Sequence, residues 1–255
     1  MDRPSIEDQV GVLLALSHAL GLESRALAIL GEGNTSLRAS DDTFLVKASG
    51  SSLGTLTAAD VVECRLAPLL ALLDRDAPSD QQIEDELFNC RVDAAAKKPS
   101  VEALFHAYLL SLPGVGFVGH THPVSVNGIL CSPRARDFAE HRIFPDEVVC
   151  CGPASVCVPY ADPGLQLSRA IREGVARFMD RFGTHPRVIL LESHGIITLG
   201  ATPQAVQAAM FMADKAALIF LGAAALGGPT FLSPETVDRI SNRIDEHYRQ
   251  RALQI

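Results

Sequence analysis

No Cys-x-x-Cys pair, no basic excess, no long hydrophobic run and no internal repeat occurs in this 255-residue chain. Each absence excludes something. The six cysteines (Cys64, Cys90, Cys131, Cys150, Cys151 and Cys157) fall at irregular spacings. In a chain of this length they read as reduced, mostly buried thiols of a cytoplasmic protein. The formal net charge is -8 and the pI about 5.4. That balance argues against nucleic acid or an anionic membrane as the main partner. It leaves an anionic small molecule open, because a local basic or metal site overrides a distant net charge. The longest apolar stretch, Ala216 to Gly228, is too short to span a bilayer. The segment from Met1 to Asp8 carries acids where a secretory leader carries bases. Without such a leader, the sequon Asn34-Thr35-Ser36 has no bearing.

What remains is an ordinary globular balance, 47% hydrophobic and 20% charged. Apolar spacing near 3.6 predicts helices over Ile6–Leu20, Ser100–Leu112, Leu165–Phe182 and Pro203–Leu221. Pro123 suits the start of a helix over Val124–Leu130. A short helix capped by Thr57 is expected over 57–63, and a charged helical tail from Pro234. Strands are expected from Asn34, over Thr43–Lys47 after an Asp41-Asp42 turn, and over Val115–His120, Arg187–Glu192 and Ile196–Leu199. Strand-like pieces are expected within Val148–Val158. The polar stretch Pro78–Asp93 gives no clear assignment. Helices and short strands interspersed through one core pattern suggest a single α/β domain covering 1–255.

The most informative residues are His120 and His122, in Gly119-His120-Thr121-His122-Pro123. Residues i and i+2 of a strand share a face, so a His-x-His at a strand end aims two imidazoles at one point. A divalent metal requires that of its first two ligands; an exposed strand end would have the same spelling. His194 ends a second apolar strand, where it either completes a three-imidazole site or caps a hairpin beside Gly195. Glu102 lies near a helix start, where it is a general base or a partner of the helix's positive end. Ser100 fits the helix cap. Asn34 in a Gly-flanked turn, Lys47 at a strand end, and Ser49-Gly50-Ser51-Ser52 expose donors that can wrap a phosphate. Such turns also occur with no ligand at all.

Six segments, GEGNTSLR (31–38), VKASGSSL (46–53), KPSVEALFHAYL (98–109), GHTHPVSV (119–126), VPYADPG (158–164) and ESHGIITLG (192–200), together resemble the class II aldolase/adducin family. They come in that family's order and spacing. The resemblance implies a three-layer α/β/α fold with a central, mainly antiparallel sheet. It implies Zn²⁺, or another divalent cation, on His120, His122 and His194, and Glu102 as acid/base. It implies phosphate held by Asn34, Ser49, Gly50 and Ser100, with Lys47 matching a lysine of the related epimerases. Those epimerases carry Asp at the position of Glu102, which favours an aldolase. The implied reaction cleaves a ketose 1-phosphate to dihydroxyacetone phosphate and an aldehyde through a metal-stabilised enediolate.

The same resemblance implies a homo-oligomer, typically a C4 tetramer. Epimerase, dehydratase or decarboxylase chemistry on the same scaffold is the alternative, and a non-enzymatic adducin-like module a further one. Val101 stands where the aldolases often have a second serine, which weakens the case for a phosphorylated substrate. No tyrosine falls between Arg134 and Phe144, where the fuculose-phosphate enzymes carry their proton donor, leaving His141 or Tyr248 as candidates. His106 is read as structural. Parts of the chain look closest to the aldolase half of bifunctional rhamnulose-phosphate aldolase/dehydrogenases, a hint toward deoxy-ketose 1-phosphates; the dehydrogenase half is expected to be missing.

Overall fold

The computed structural model describes residues 4–255; Met1, Asp2 and Arg3, which entered the leader argument, lie outside the described residues. Helix α1 (Ile6–Leu20) starts where the Ser5 side chain accepts the Asp8 N–H at 3.1 Å, with Glu7 and Asp8 in its first turn. Its Leu13, Leu16 and Leu20 are fully buried. Strands β1 (Asn34–Arg38) and β2 (Thr43–Lys47) form a hairpin. Ser40 Oγ accepts the Asp42 and Thr43 N–H groups at 3.1 and 2.9 Å and so closes the expected turn.

The expected helix over 57–63 is corrected. Only Ala58–Asp60 form a 3₁₀ turn, held by a Thr57/Asp60 capping box, and Val61–Arg65 is strand β3. Alternating burial of Val62 and Cys64 against β2 decides it. Helices α2 (Leu66–Asp74) and α3 (Asp80–Asn89) follow; α3 is polar and buries only Leu87. Helix α4 (Ala103–Ser111) begins later than Ser100, with Glu102 at its N-cap. Then come β4 (Phe117–Thr121), α5 (Val124–Leu130) and α6 (Ala135–Glu140).

A second correction concerns 148–151. Pro145 at the first helical position and the acids Asp146 and Glu147 start helix α7 (Pro145–Cys151), so only β5 (Val156–Val158) is strand. The chain continues through α8 (Leu165–Phe182), β6 (Val188–Leu191), β7 (Gly195–Gly200) and α9 (Pro203–Ala225). It closes with α10 (Pro234–Ser241) and α11 (Ile244–Leu253).

The seven strands form one sheet in the order β3-β2-β1-β4-β7-β6-β5. Every pairing is antiparallel except β5 with β6. Alternation assigns the faces. Ile189, Leu191, Ile197 and Leu199 pack with the leucines of α2 and α4 and with α8. Val188, Leu190 and Ile196 pack with α1, α5, α6 and α9 on the opposite face. This is the expected three-layer α/β/α arrangement with a mainly antiparallel centre. Helix α9 is long and apolar enough to cross a membrane by length and composition, longer than the apolar run Ala216–Gly228 suggested. In the fold, its Val206, Ala209, Met210, Ala213, Ala216, Ala217 and Phe220 cover the sheet.

Ile197 is fully buried on central strand β7, opposite His120 of β4 and Ile189 of β6. Ile197→Ala is expected to cost about 2–5 kcal/mol of unfolding free energy, read from urea denaturation. A loss below about 0.5 kcal/mol would contradict this packing.

Candidate metal and acid–base site

The histidines converge because β4 and β7 are neighbours. His120 is fully buried on the α4 side of β4 and His122 lies just past the strand end. His194 sits in the three-residue turn from β6 to β7. The His120 and His122 Nε2 atoms are 3.0 Å apart. Ring centroids lie 4.7 Å (120–122), 5.0 Å (120–194) and 4.9 Å (122–194) from one another. One nitrogen from each ring falls within 4.8 Å of the others.

Backbone geometry makes this approach possible. A Cβ on Gly195 would stand 2.5 Å from the Thr121 carbonyl oxygen and 2.7 Å from His122 Cδ2. Ser193, two residues earlier, takes a left-handed φ of 55°, a conformation that costs a non-glycine residue free energy.

The donor set fits a divalent cation. His120 Nδ1 is 3.0 Å from the Ile196 carbonyl, which only accepts, so Nδ1 is the donor there and Nε2 is the nitrogen turned toward the other rings. Burial, together with the neighbouring His120 and His194, holds the His122 ring down to about 3, neutral and ready to ligate. Three imidazoles, which ligate in their neutral form, are the ligand pattern of catalytic rather than closed structural sites.

Glu102 faces this cluster. Its Oε1 lies 3.4 Å from His194 Nε2 and 3.6 Å from His120 Nε2, and its Oε2 accepts from the Asn34 side-chain amide. Burial pushes its carboxyl up, but His120 and His194 outweigh this and hold it well below the usual carboxylate range. It is therefore ionised at neutral pH.

The anion-cradle residues are also brought together, with different degrees of exposure. The Ala48–Pro99 bridge and the Ser49 N–H to Lys98 carbonyl bond (3.0 Å) hold the Ser49-Gly50 turn against the segment leading to Ser100. Ser49 and Gly50 are exposed. Ser100 Oγ accepts the Glu102 N–H at 3.3 Å. Lys47 lies beneath them, 2% exposed. Its Nζ donates to the carbonyls of Ser51 (2.5 Å), Gly31 (3.3 Å) and Ala48 (3.4 Å), clamping two loops. Asn34 is occupied with Glu102 rather than with the exposed turn.

Other sequence candidates stand elsewhere. His106 is fully buried, stacked on Phe105, with Nδ1 2.7 Å from Ser36 Oγ, in keeping with a structural residue. His141 is exposed and stacks on Phe231, and Tyr248 is exposed on α11. The His247 side chain lies outside the described residues. Of the cysteines, Cys64, Cys90 and Cys151 are buried while Cys131 is exposed; all six are free. Two site neighbours carried no sequence signal. Glu32 Oε1 lies 4.0 Å from His122 Nδ1, and Asn127 Nδ2 donates to the His194 carbonyl at 3.0 Å.

This fold defines a domain of the class II aldolase and adducin type. Residues 13–221 match the model of the class II aldolase and adducin N-terminal domain, and the chain is a member of that family. An L-fuculose 1-phosphate aldolase superposes with a TM-score of 0.71 at 17% identity, over 98% of this chain and 100% of that one. The N-terminal class II aldolase domain of a conserved Thermoplasma acidophilum protein gives a TM-score of 0.67 at 25% identity, over 87% and 97%. The uncharacterized oxidoreductase YuxG of Bacillus subtilis is 33% identical over 200 residues, 75% of this chain. This chain spans only 26% of that relative's length.

One fully buried histidine, His106, and one partly buried, His122, make the metal-free protein sensitive to acid. Burial holds His106 down to about 3, as it does His122, while both titrate near 6.5 when unfolded. As pH falls below about 6.5 the unfolded chain binds protons first, so stability drops from there toward pH 3. The urea midpoint of metal-free protein is expected to fall between pH 7.5 and pH 5, and His106→Gln to shallow that slope. An unchanged slope in His106→Gln would show that this ring does not contribute.

Proposed function

We propose that the chain is a class II, metal-dependent aldehyde-lyase that cleaves a ketose 1-phosphate to dihydroxyacetone phosphate and an aldehyde. The observation carrying this reading is the ionised Glu102 carboxylate held within 3.6 Å of two members of a three-histidine cluster. His120, His122 and His194 would hold the cation, with Zn²⁺ as the first candidate and another divalent ion also suited to imidazoles. Bound there, the ion supplies Lewis-acid stabilisation of the charge that develops as the C3–C4 bond breaks.

The chain's own groups do the rest. Glu102, ionised at neutral pH, takes a proton from the hydroxymethylene carbon of dihydroxyacetone phosphate in the aldol direction and returns it to that carbon in cleavage. The Asn34 amide orients the carboxylate by donating to Oε2. The Gly50 N–H and the hydroxyls of Ser49 and Ser100 bind the phosphate. Lys47 holds their loops in place and adds positive charge beneath them. Buried Lys47 also supports a second reading, an epimerase, and YgbL of Escherichia coli, a solved neighbour, carries the provisional label aldolase/epimerase/decarboxylase. The glutamate at position 102 favours the lyase.

A homo-oligomer is part of the proposal. Val124, Leu218, Ile219 and Leu221 leave apolar surface exposed on α5 and α9, which a second copy would cover. Free cysteines support a cytoplasmic location.

The test is a panel of ketose 1-phosphates read by mass spectrometry, because cleavage splits the carbon skeleton into two smaller products whereas epimerisation leaves the mass unchanged. Metal-loaded protein is expected to release dihydroxyacetone phosphate, and Glu102→Gln to lower kcat by about 10²-fold or more. His120→Ala should lose metal and activity together. Mass-neutral products would favour the epimerase reading, and unchanged turnover in Glu102→Gln would remove the assigned base. Light scattering on eluted protein is expected to give a multiple of 27.2 kDa; a monomer would refute the oligomer.

A further inference from the structure

His194 reaches the cluster from a turn, whereas His120 is fixed within the sheet. Turns hold a side chain less firmly than strands do, so something must fix this one. Helix α5 does so from two points. Asn127 Nδ2 donates to the His194 carbonyl at 3.0 Å, and the Leu130 carbonyl accepts the Ser193 N–H at 3.2 Å. Between these bonds the chain makes its left-handed step at Ser193. The same helix begins directly after His122-Pro123, and the Asn127 N–H donates to the Pro123 carbonyl at 2.9 Å. One short helix therefore registers the His122 segment against the His194 turn.

Asn127 is poorly explained as a stabilising residue. Asparagine is a weak helix former, and Asn127 Oδ1 is buried without a hydrogen-bond partner, which costs free energy. The only hydrogen bond of its side chain among the described residues is the one to the ligand turn.

We infer that Asn127 is the positioning residue for His194: its amide donates to the His194 backbone, fixes the turn, and so sets the imidazole's place in the cation site. The inference rests on the metal site proposed above. It follows the general pattern in which outer groups orient a ligand and set its affinity.

The test measures Co²⁺ and Zn²⁺ affinity by chelator competition, with the Co²⁺ visible spectrum as a report on ligand geometry. Asn127→Leu keeps the volume and removes the donor; Asn127→Ser is the second variant should the first not fold. Either is expected to weaken metal binding by about ten- to a hundredfold and to alter the Co²⁺ spectrum. In a His194→Ala background the same substitution should cost no further affinity, because its effect passes through that ring. A merely structural role would weaken binding equally in both backgrounds, and that result would overturn the inference. So would an affinity within twofold of wild type. Wild-type protein that takes up no metal would instead sink the site itself, and this inference with it.

Discussion

Strands β4 and β7 can close on one another at their ligand-bearing ends only because Gly195 carries no side chain. A single methyl there would overlap the Thr121 carbonyl and the His122 ring. That close approach sets the antiparallel register in which His120 lies opposite Ile197 and Thr121 opposite Ile196. From that register comes the Ile196 carbonyl beneath His120 Nδ1, and with it the ring orientation that frees Nε2. The sheet is the instrument of this geometry, since strands hold side chains more narrowly than loops do.

Around this centre the charges are arranged in layers. The His106 and His122 imidazoles, held down by burial, stay neutral, the Glu102 carboxylate stays ionised, and the Lys47 ammonium is folded into backbone carbonyls. Burial pushes the Lys47 ammonium below its usual value while Glu102 and Asp60 pull it back up. The chain as a whole is acidic, yet at this corner a buried ammonium lies under the exposed Ser49-Gly50 turn. Local arrangement, not net charge, decides what can bind there.

Much of this could be read from the residues. A His-x-His at the end of an apolar run, a third histidine before a glycine, and a glutamate near a helix start are signals whose geometry follows from strand and helix periodicity. Other features were silent for physical reasons. Helix α3 buries only Leu87, so it leaves no periodic apolar trace. Val148-Val149-Cys150-Cys151 is apolar throughout and fits a strand or a buried helix equally well; Pro145 and two acids settled it locally. The short helix expected around Thr57 gave way to β3 because cross-strand pairing with β2 outweighed the local pattern. Asn127 could not be found, because its role depends on a turn 67 residues away in the chain.

The hydrogen bond from His120 to Ile196 reaches beyond orientation. It joins an imidazole to the backbone of the neighbouring strand, so cation occupancy and sheet integrity become one thermodynamic quantity. An ion seated on that ring would act as a rivet through two adjacent strands. Fraying of β7 from β4 would in turn loosen the ion's grip.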